Sequence, residues 1–477
     1  MICTEGLPLK RKLSNEQPPV HRALLLLTIA PLCVLTGCRP AERIPDISQQ
    51  SARIASVKGV DAVEFHHAGE LVNVNARTWD GHLTLDTTVA RVMRHSPTIQ
   101  ATGAKVRAAL ADAKQARLLP NPVVSVALRF PEGGGKPTIE AGLTAELLSL
   151  LSRPGRIDIA DARLRASASD VLSVVIDEIT EVQTRYAEAQ AIDARLKVLA
   201  DQQRAITRVL GMTQSRVEAG EAPRLDVLAI DAQRLGIETD LLDAEARRRD
   251  VRLDLARLIG RPSDPTANDW TLETWEAPSI VNLSDEKRWI TTAMNHRPDI
   301  QSRTWELAAR GVDVKQARWG VLDGAEVGAD AEREDGNWGI GPAIATPLPL
   351  FDWGQAKRQK AMAEQSEARH ALVAAQRLAV TDVRQAIASV AASQQSLEKQ
   401  RTELLPLLKR RHEQAIDAYQ AGSASMTDVL LAEQELQSAN GRLIELQEQL
   451  SSAMFRLQRA AGGRDLQTIY NETSEAK

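Results

Sequence analysis

The stretch "RHSPTIQATGAKVRAALADAKQAR" at residues 94–117 returns, partly unchanged, as "NHRPDIQSRTWELAARGVDVKQAR" at residues 295–318. Identical residues stand at matching positions, 201 residues apart: His95 and His296, Pro97 and Pro298, Ile99 and Ile300, Gln100 and Gln301, Lys114–Arg117 and Lys315–Arg318. Other pairs recur at an interval of 202 residues: Gly220 and Gly422, Asp226 and Asp428, Gly260 and Gly462. The sequence therefore predicts two structural repeats in one chain, built in the same order.

The composition favours long helices. The 477 residues include only 4 Phe, 8 Trp and 3 Tyr, and the chain is rich in Ala, Leu, Gln, Arg and Glu. The formal net charge is -4 and no basic tract is present, so nucleic acid is a poor candidate partner. No nucleophile motif, phosphate-binding glycine loop or HExxH motif occurs, and the sequence gives no support for an enzyme.

The N-terminal segment has the order of a secretory signal. Basic residues at 10–12 and 22 precede an apolar run at 23–35, and "LTGC" occupies residues 35–38. This resembles a bacterial lipoprotein signal, which implies that residues 1–37 are removed and that Cys38 carries a covalent lipid. An uncleaved membrane anchor is the alternative, but 13 apolar residues are short against the roughly 20 that span a bilayer.

The repeats are predicted to contain the same elements. A linker at 38–83 precedes the first repeat at 84–262, with helices broken at Ser96-Pro97, a β-hairpin at about 121–151, a long helix at about 156–220 and a helix at about 224–259. A connector at 263–283 leads to the second repeat at 284–463, with a hairpin at about 320–350, a long helix at about 354–421 and a helix at about 425–461. A polar tail occupies 464–477.

Both hairpins alternate with a period of two. In the first, Val124, Val126 and Leu128 oppose Ser125, Ala127 and Arg129, and the pattern extends through Leu147. In the second, the alternation is expected from Val321 onward. Four amphipathic strands cannot close a barrel alone, two chains would give a filled eight-stranded barrel, and three give twelve strands and an open lumen. We therefore predict a homotrimer with a 12-stranded transmembrane β-barrel.

The helical segments predict four parallel rods per chain, here called columns, and this number equals the number of predicted strands. Each long helix is about as long as two shorter helical segments placed end to end, 84–119 with 224–259 in the first repeat. Each chain then supplies four helical columns. The expected fold is mainly α with a transmembrane β part, in which a long α-helical barrel continues the β-barrel.

Four motifs resemble the TolC-type outer-membrane efflux protein family: "LLPNP" at 118–122, "PLPLFDWGQAKR" at 347–358, "AYQAGSASMTDVLLAEQ" at 418–434 and its weaker copy "VEAGEAPRLDVLAIDAQ" at 217–233. The opening of the first strand, "LLPNPVVSVAL" at 118–128, is more similar to the heavy-metal (CzcC-like) branch of this family than to its multidrug branch. "SRPGR" at 152–156 departs from the fuller junction motif of the second repeat.

The resemblance implies a passive exit duct of a tripartite RND-type efflux system, lipid-anchored in the outer membrane of a Gram-negative bacterium, with its helical part in the periplasm. Its partners would be a periplasmic adaptor and an inner-membrane pump. It implies no cofactor besides the lipid on Cys38. Heavy-metal cations are the expected cargo, and drugs or other small molecules are the alternative. A structural periplasmic coiled-coil lipoprotein is the competing interpretation, although it leaves the two hairpins unexplained.

The resemblance also places a periplasmic gate at the helix turns. Asp428 stands at the family's acidic tip position, Asp226 is its repeat partner, and Tyr419 matches a tyrosine of the closing contacts. Leu431 replaces a second acidic residue. Because Asp near a helix start also caps the helix, gating and capping both stay open for Asp226 and Asp428.

Five acidic residues are expected to face the barrel lumen: Glu140, Glu146, Glu326, Asp330 and Glu332. They suit a cation route, but a water-filled lumen is polar in any case. Pro406 is expected to kink the second long helix. The adjacent His66 and His67 have no further ligand at metal spacing, so no metal site is predicted.

Overall fold

The computed structural model describes residues 81–130, 132, 134, 136–261, 269–275, 283, 285–334 and 337–463. The signal at 1–37, Cys38, the pair His66-His67 and the tail at 464–477 lie outside the described residues, as does most of the connector.

The first repeat contains two long helices and a β-hairpin. Its elements are β1 (His82–Leu83), α1 (Leu85–His95), α2 (Pro97–Ala116), β2 (Val123–Arg129), β3 (Thr138–Glu146), α3 (Leu147–Leu151), α4 (Arg153–Glu218) and α5 (Arg224–Leu258). The 66 residues of α4 form a rod of roughly 100 Å at 1.5 Å per residue.

The second repeat follows the same order after β4 (Thr271–Leu272). Its elements are α6 (Glu286–His296), α7 (Pro298–Gln316), a 3-10 helix (Ala317–Leu322), β5 (Glu326–Glu334), β6 (Asn337–Ala345), α8 (Gln355–Lys399), a π-helical turn (Gln400–Leu404), α9 (Leu405–Gln420) and α10 (Met426–Ala460).

Both hairpins are shorter than the alternation predicts. Leu147 begins the short helix α3, because apolar residues at 147, 148, 150 and 151 follow helical spacing. Val321 lies in the 3-10 helix, and Gly324 (φ +81°) turns the chain before β5 begins. The strand assignments of Leu147 and Val321 are therefore wrong. Both residues fit the alternation of the neighbouring strand, but each lies in a short helical segment beside it.

The second long helix is not one regular rod. Pro406 has no backbone N–H and removes a helical hydrogen bond, and the π-helical turn Gln400–Leu404 stands immediately before its helix. The buried side chain of Gln400 donates from Nε2 to the backbone carbonyl of Ala439 on α10, at 2.8 Å. The expected perturbation at Pro406 thus takes the form of a π turn that is fixed to the neighbouring helix.

The strands and helices are arranged in the same lateral order. The sheet order is β2-β3-β5-β6, antiparallel throughout. The helices contact one another in the order α2 and α5, then α4, then α7 and α10, then α8 and α9. Because each column joins its own strand through the chain, the sheet and the helical layer have the same two edges.

The shorter helices meet at two glycines with positive φ. Gly260 ends α5 with φ +78°, and a Cβ there would lie 3.1 Å from the Cβ of His95 at the end of α1. Gly462 ends α10 with φ +86°, and a Cβ there would lie 2.9 Å from the carbonyl of His296. The residues that reveal the sequence repeat therefore form the joints of its columns, and α1 and α6 precede those joints as separate helices.

The main core surrounds the middle of α4. β1 and β4 pair in parallel there, and the Tyr186 hydroxyl donates to the Leu83 carbonyl at 2.8 Å while accepting from the Glu273 amide at 3.1 Å. Burial raises the pKa of Tyr186 to about 12, so the hydroxyl keeps its proton. Arg252, 1% exposed, donates to Asp193 and to the Trp270 carbonyl, both at 2.6 Å. These bonds hold the two-stranded sheet against α4 and α5.

Within the described part of the chain, none of the helices combines the length and the hydropathy that crossing a membrane requires.

We predict that Gly328→Ala disrupts the sheet where the two repeats join. A Cβ at Gly328 would lie 2.1 Å from the carbonyl oxygen of Leu143 on β3, and a backbone atom cannot move aside as a side chain can. The expected cost is at least about 1–3 kcal/mol of folding free energy. Thermal unfolding followed by circular dichroism measures it.

Gly341→Ala is the matched control, because a Cβ at this position of β6 meets no atom within 4 Å. Equal melting temperatures for the two variants would contradict the close β3–β5 approach.

Candidate functional site

Two regions of the molecule carry the predicted site residues. The four-stranded sheet lies beside one end of the helical columns, and the turns between α4 and α5 and between α9 and α10 lie at the other end. A 66-residue helix separates the two regions.

The five predicted lumen acids share one face of the sheet. Glu140 on β3 stands directly opposite Glu332 on β5, and Glu146 opposite Glu326. Asp330 pairs with Gly142, where a Cβ would lie only 2.7 Å from its Oδ1. Like charges placed opposite one another repel, so this face lowers its energy when cations approach.

Arg129 is the counter-charge on this polar face. Its guanidinium lies 3.0 Å from Glu140 Oε2. Glu146 accepts a hydrogen bond from Ser149 at 2.5 Å. Among the side chains that the structure describes on this face, five carboxylates against one guanidinium leave an acidic excess, as the sequence predicts.

The opposite face of the sheet is apolar and open to the surroundings of a single chain. Val124, Val126 and Leu128 of β2 continue across the sheet to Ile340 and Ile344 of β6. Ile340 and Ile344 are 78% and 76% exposed. A broad exposed apolar face indicates contact with lipid or protein.

Exposed aromatic side chains flank the sheet at both ends. Phe130 and Trp338 lie at the end remote from the helices, next to the β2–β3 and β5–β6 connections. Trp319, Phe351 and Trp353 lie at the end where the chain enters the helices, and Phe351 is 92% exposed. Two aromatic belts around an apolar band are typical of proteins that cross the outer membrane as barrels.

Asp428 caps α10 in the turn at the other end. Its Oδ2 accepts hydrogen bonds from the Ser425 amide at 2.9 Å and the Ser425 hydroxyl at 2.7 Å, and its own amide donates to Ser425 Oγ at 3.3 Å. These bonds, the hydroxyl's foremost, lower the pKa of Asp428. The capping interpretation therefore describes the contacts of Asp428 within one chain, and the gate role stays a prediction.

Asp226 has different surroundings although it is the repeat partner. The residue before its helix is Pro223, which offers no side-chain cap, and only the Asp226 amide bonds back to the Pro223 carbonyl at 3.1 Å. Asp226 is half-buried, and its carboxylate has no hydrogen-bond partner among the described residues. Its gate role also stays a prediction, and no cap competes with it.

Tyr419 connects the turn between α4 and α5 with the turn between α9 and α10, which are called the two tips below. Its ring packs against a buried cluster of Ile206, Ile230, Ile237 and Met426, and the guanidinium of Arg216 lies 5.0 Å from the ring centre. Arg216 cannot be identified from the sequence, because its contact with Tyr419 joins helices that are far apart in the chain and leaves no local signal.

A groove of about 420 Å³ runs between α4 and the pair α9–α10 beside Tyr419. His412 on α9 lies on this groove with Nε2 2.6 Å from Glu433 Oε2 on α10, and the preceding residue, Arg411, pairs with Glu435. The two pairs tie α9 to α10, so the second tip is braced as a helical hairpin.

Among the described residues, no group of three or more His, Cys, Asp or Glu side chains is arranged to hold a metal ion.

Comparison with known proteins identifies the family. The family model for outer membrane efflux proteins matches residues 89–261 and 289–463. The chain belongs to the outer membrane efflux protein family, whose members are channels and not enzymes.

Two curated relatives illustrate the range of cargo in similar proteins. "Pyoverdine export outer membrane protein OpmQ" of Pseudomonas aeruginosa is 25% identical over 319 residues, which span 63% of this chain and 64% of OpmQ, less than two thirds of that relative. "Cobalt-zinc-cadmium resistance protein CzcC" of Cupriavidus metallidurans is 23% identical over 398 residues, or 82% of this chain and 93% of CzcC.

The fold is shared with solved structures. The outer membrane protein VceC of Vibrio cholerae superposes with a TM-score of 0.65 at 21% identity, covering 80% of this chain and 96% of VceC. The predicted fold class, mainly helical with a β part, is confirmed. The competing interpretation as a coiled-coil spacer is wrong, because the chain is a channel-family protein.

We predict that Asp428→Ala frays the start of α10 whereas Asp226→Ala leaves the start of α5 unchanged. Hydrogen–deuterium exchange of the amides at 426–430 should accelerate in the first variant, and exchange at 224–228 should not change in the second. Because the folded-state pKa of Asp428 lies below its ordinary value of 3.8, the cap is complete above pH 3.8 and is lost as the pH falls through that lower pKa. Equal acceleration at both turns would contradict the assignment.

Proposed function

We propose that this chain forms, as a homotrimer, the outer-membrane exit duct of a tripartite RND-type efflux system and that heavy-metal cations are its cargo. One observation carries the proposal: the sheet and the helical layer have the same lateral order and end at the same two edges. A layer with two matched open edges can close on itself only through further copies.

The edges of the sheet support closure by other chains. Among the described strands, β2 and β6 each pair with one neighbour only, so each presents an unpaired row of backbone N–H and C=O groups. Such groups cost several kcal/mol each in hydrocarbon unless they are hydrogen-bonded. Three chains of four strands give twelve strands, enough for a water-filled lumen lined by the acidic face.

The edge helix α5 supports the same closure. Its buried heptad row of Ile230, Ile237 and Ala244 faces α4. A second heptad row, Leu228, Leu235 and Leu242, is shifted by two residues, which places it about 200° around the helix. These leucines are 65%, 50% and 66% exposed. A helix with two apolar rows needs a second helical partner, and the edge column α8–α9 of a neighbouring chain supplies one.

The acidic face of the sheet supports a cationic cargo. The polar face of the sheet carries Glu140, Glu146, Glu326, Asp330 and Glu332 against Arg129, and three copies would triple that excess around one lumen. Rings of carboxylates favour cations over anions. The likeness to CzcC over 82% of the chain is the second support for metal cations. The alternative, a duct for drugs or other small molecules, is supported by the likeness to OpmQ.

The helix turns and the N-terminal cysteine have separate roles in the proposed duct. The tip with Asp226, Asp428 and Tyr419 would be the periplasmic gate and would face the adaptor and the inner-membrane pump. Cys38 would carry the lipid that anchors the N-terminus in the outer membrane. The energy for transport would come from the pump, so the duct itself needs no cofactor.

We expect a strain that lacks this protein to lose tolerance to one group among zinc, cobalt, cadmium, nickel, copper and silver while keeping its tolerance to dyes and antibiotics. The minimal inhibitory concentrations of the deletion strain and its complemented parent measure this. Loss limited to organic compounds would overturn the metal cargo and leave the duct in place.

We expect neutralised lumen acids to reduce cation selectivity. The triple variant Glu140→Gln, Glu326→Gln, Glu332→Gln removes nine charges from a trimer, and the reversal potential of single channels in a planar bilayer under a salt gradient should move toward zero. Asp226→Asn, at the far end, should change conductance more than reversal potential. An unchanged reversal potential in the triple variant would show that these acids do not line the permeation path.

A further inference from the structure

One ionisable residue, Arg333, stands on the otherwise apolar face of the sheet. The pairing of the four strands places these residues on that face: Val124, Val126, Leu128, Ile139, Ala141, Leu143, Ala145, Val327, Ala329, Ala331, Arg333, Trp338, Ile340, Pro342 and Ile344. Among the described strands, no other member of this face carries a charge.

Arg333 lies at the end of the sheet remote from the helices. Its cross-strand row is Leu128, Ile139, Arg333 and Trp338. The guanidinium carbon lies 5.9 Å from the centre of the Trp338 ring, within the range of a cation–π contact. Phe130, two residues beyond Leu128 and therefore on the same side by the alternation, is 76% exposed. An aromatic belt with one guanidinium therefore marks this rim.

The carboxylates that the structure describes on the sheet do not pair with Arg333. Glu332 and Glu140 lie on the opposite face, and Arg333 has no ion-pair partner among the described side chains. A neighbouring chain cannot supply one across the sheet edge either, because β5 is an inner strand with β3 on one side and β6 on the other.

An exposed guanidinium on a lipid face requires an anion or water. Arg on the lipid face of a barrel is strongly destabilising at the middle of the bilayer and only weakly so near the interface. The end row is the position where the cost is smallest. A guanidinium also presents paired N–H donors that match phosphate oxygens, and the Trp ring beside it lies at the headgroup level that aromatic belts prefer.

We propose that Arg333 and Trp338 form a binding site for a phosphate group of an outer-leaflet lipid headgroup, one on each chain at the outer rim of the barrel. The proposal rests on the proposed function, because it requires the apolar face to contact lipid. It commits to a phosphorylated lipid and not to free phosphate, since the row below Arg333 is hydrocarbon: Val126, Ala141, Ala331 and Ile340 would hold the acyl chains.

The test is a titration of the detergent-solubilised full-length protein with diphosphoryl lipid A, with the melting temperature as the readout. Wild type should be stabilised, and the midpoint of the titration should rise about fivefold in Arg333→Gln, the change expected when one basic contact worth roughly 1 kcal/mol is lost. Trp338→Leu should show a smaller rise, and Arg333→Lys should lie between wild type and Arg333→Gln.

Arg129→Gln is the matched control, because Arg129 stands at the same end of the sheet on the polar face. It should titrate like wild type. Dephosphorylated lipid A and inorganic phosphate should each leave the melting temperature of all variants unchanged. Equal midpoints for wild type and Arg333→Gln, or equal stabilisation by dephosphorylated lipid A, would overturn the site.

Failure of this inference and failure of the proposed function give different results. If the proposed function is wrong, the protein forms no heat-modifiable trimer and no channels in planar bilayers. If only the lipid site is wrong, Arg333→Gln still forms both, and lipid A stabilises it as strongly as wild type.

Discussion

A four-stranded antiparallel sheet leaves two rows of backbone N–H and C=O groups unpaired, on the outer edges of β2 and β6. In hydrocarbon no water is present to hydrogen-bond these groups, so each of them must bond to another strand. The same lateral order continues into the helices, where α5 presents its exposed leucines at the edge below β2. In the proposed homotrimer a single chain is one segment of a closed wall, and the exposed leucines of α5 lie where the next chain would pack.

Joining two repeats into one segment depends on close packing between them. β3 and β5 approach so closely at Gly328 that a Cβ would overlap the backbone, and α4 packs on both α7 and α10. The bond between Arg459 on α10 and Asp177 on α4 spans the same boundary. Elsewhere the repeats have diverged. Ser96 donates to Glu178 in the first, and Arg297, at the matching position, pairs with Asp382 in the second.

The sequence predicts the features that periodicity or repetition encodes. Local patterns encode the duplicated "KQAR" stretch, the break at Ser96-Pro97, and the polar and apolar faces of β3 and β5. The network of Tyr186, Leu83 and Glu273 does not, since its members are 87 or more residues apart in sequence. Arg333 was also overlooked, because its position on the apolar face requires the register with Ile139 and Trp338.

The two tips show how a duplicated residue acquires different roles. Asp226 and Asp428 are equivalent by repeat, but the residue three positions earlier is Pro223 in one and Ser425 in the other. Ser425 forms a reciprocal capping box that engages the carboxylate of Asp428, whereas Pro223 has neither an amide hydrogen nor a hydroxyl to offer Asp226. A carboxylate that already accepts two hydrogen bonds is less available to an incoming cation or to a neighbouring chain. In the proposed gate, Asp226 is therefore the acid whose carboxylate accepts no hydrogen bond from the described residues, whereas the carboxylate of Asp428 fixes the start of α10.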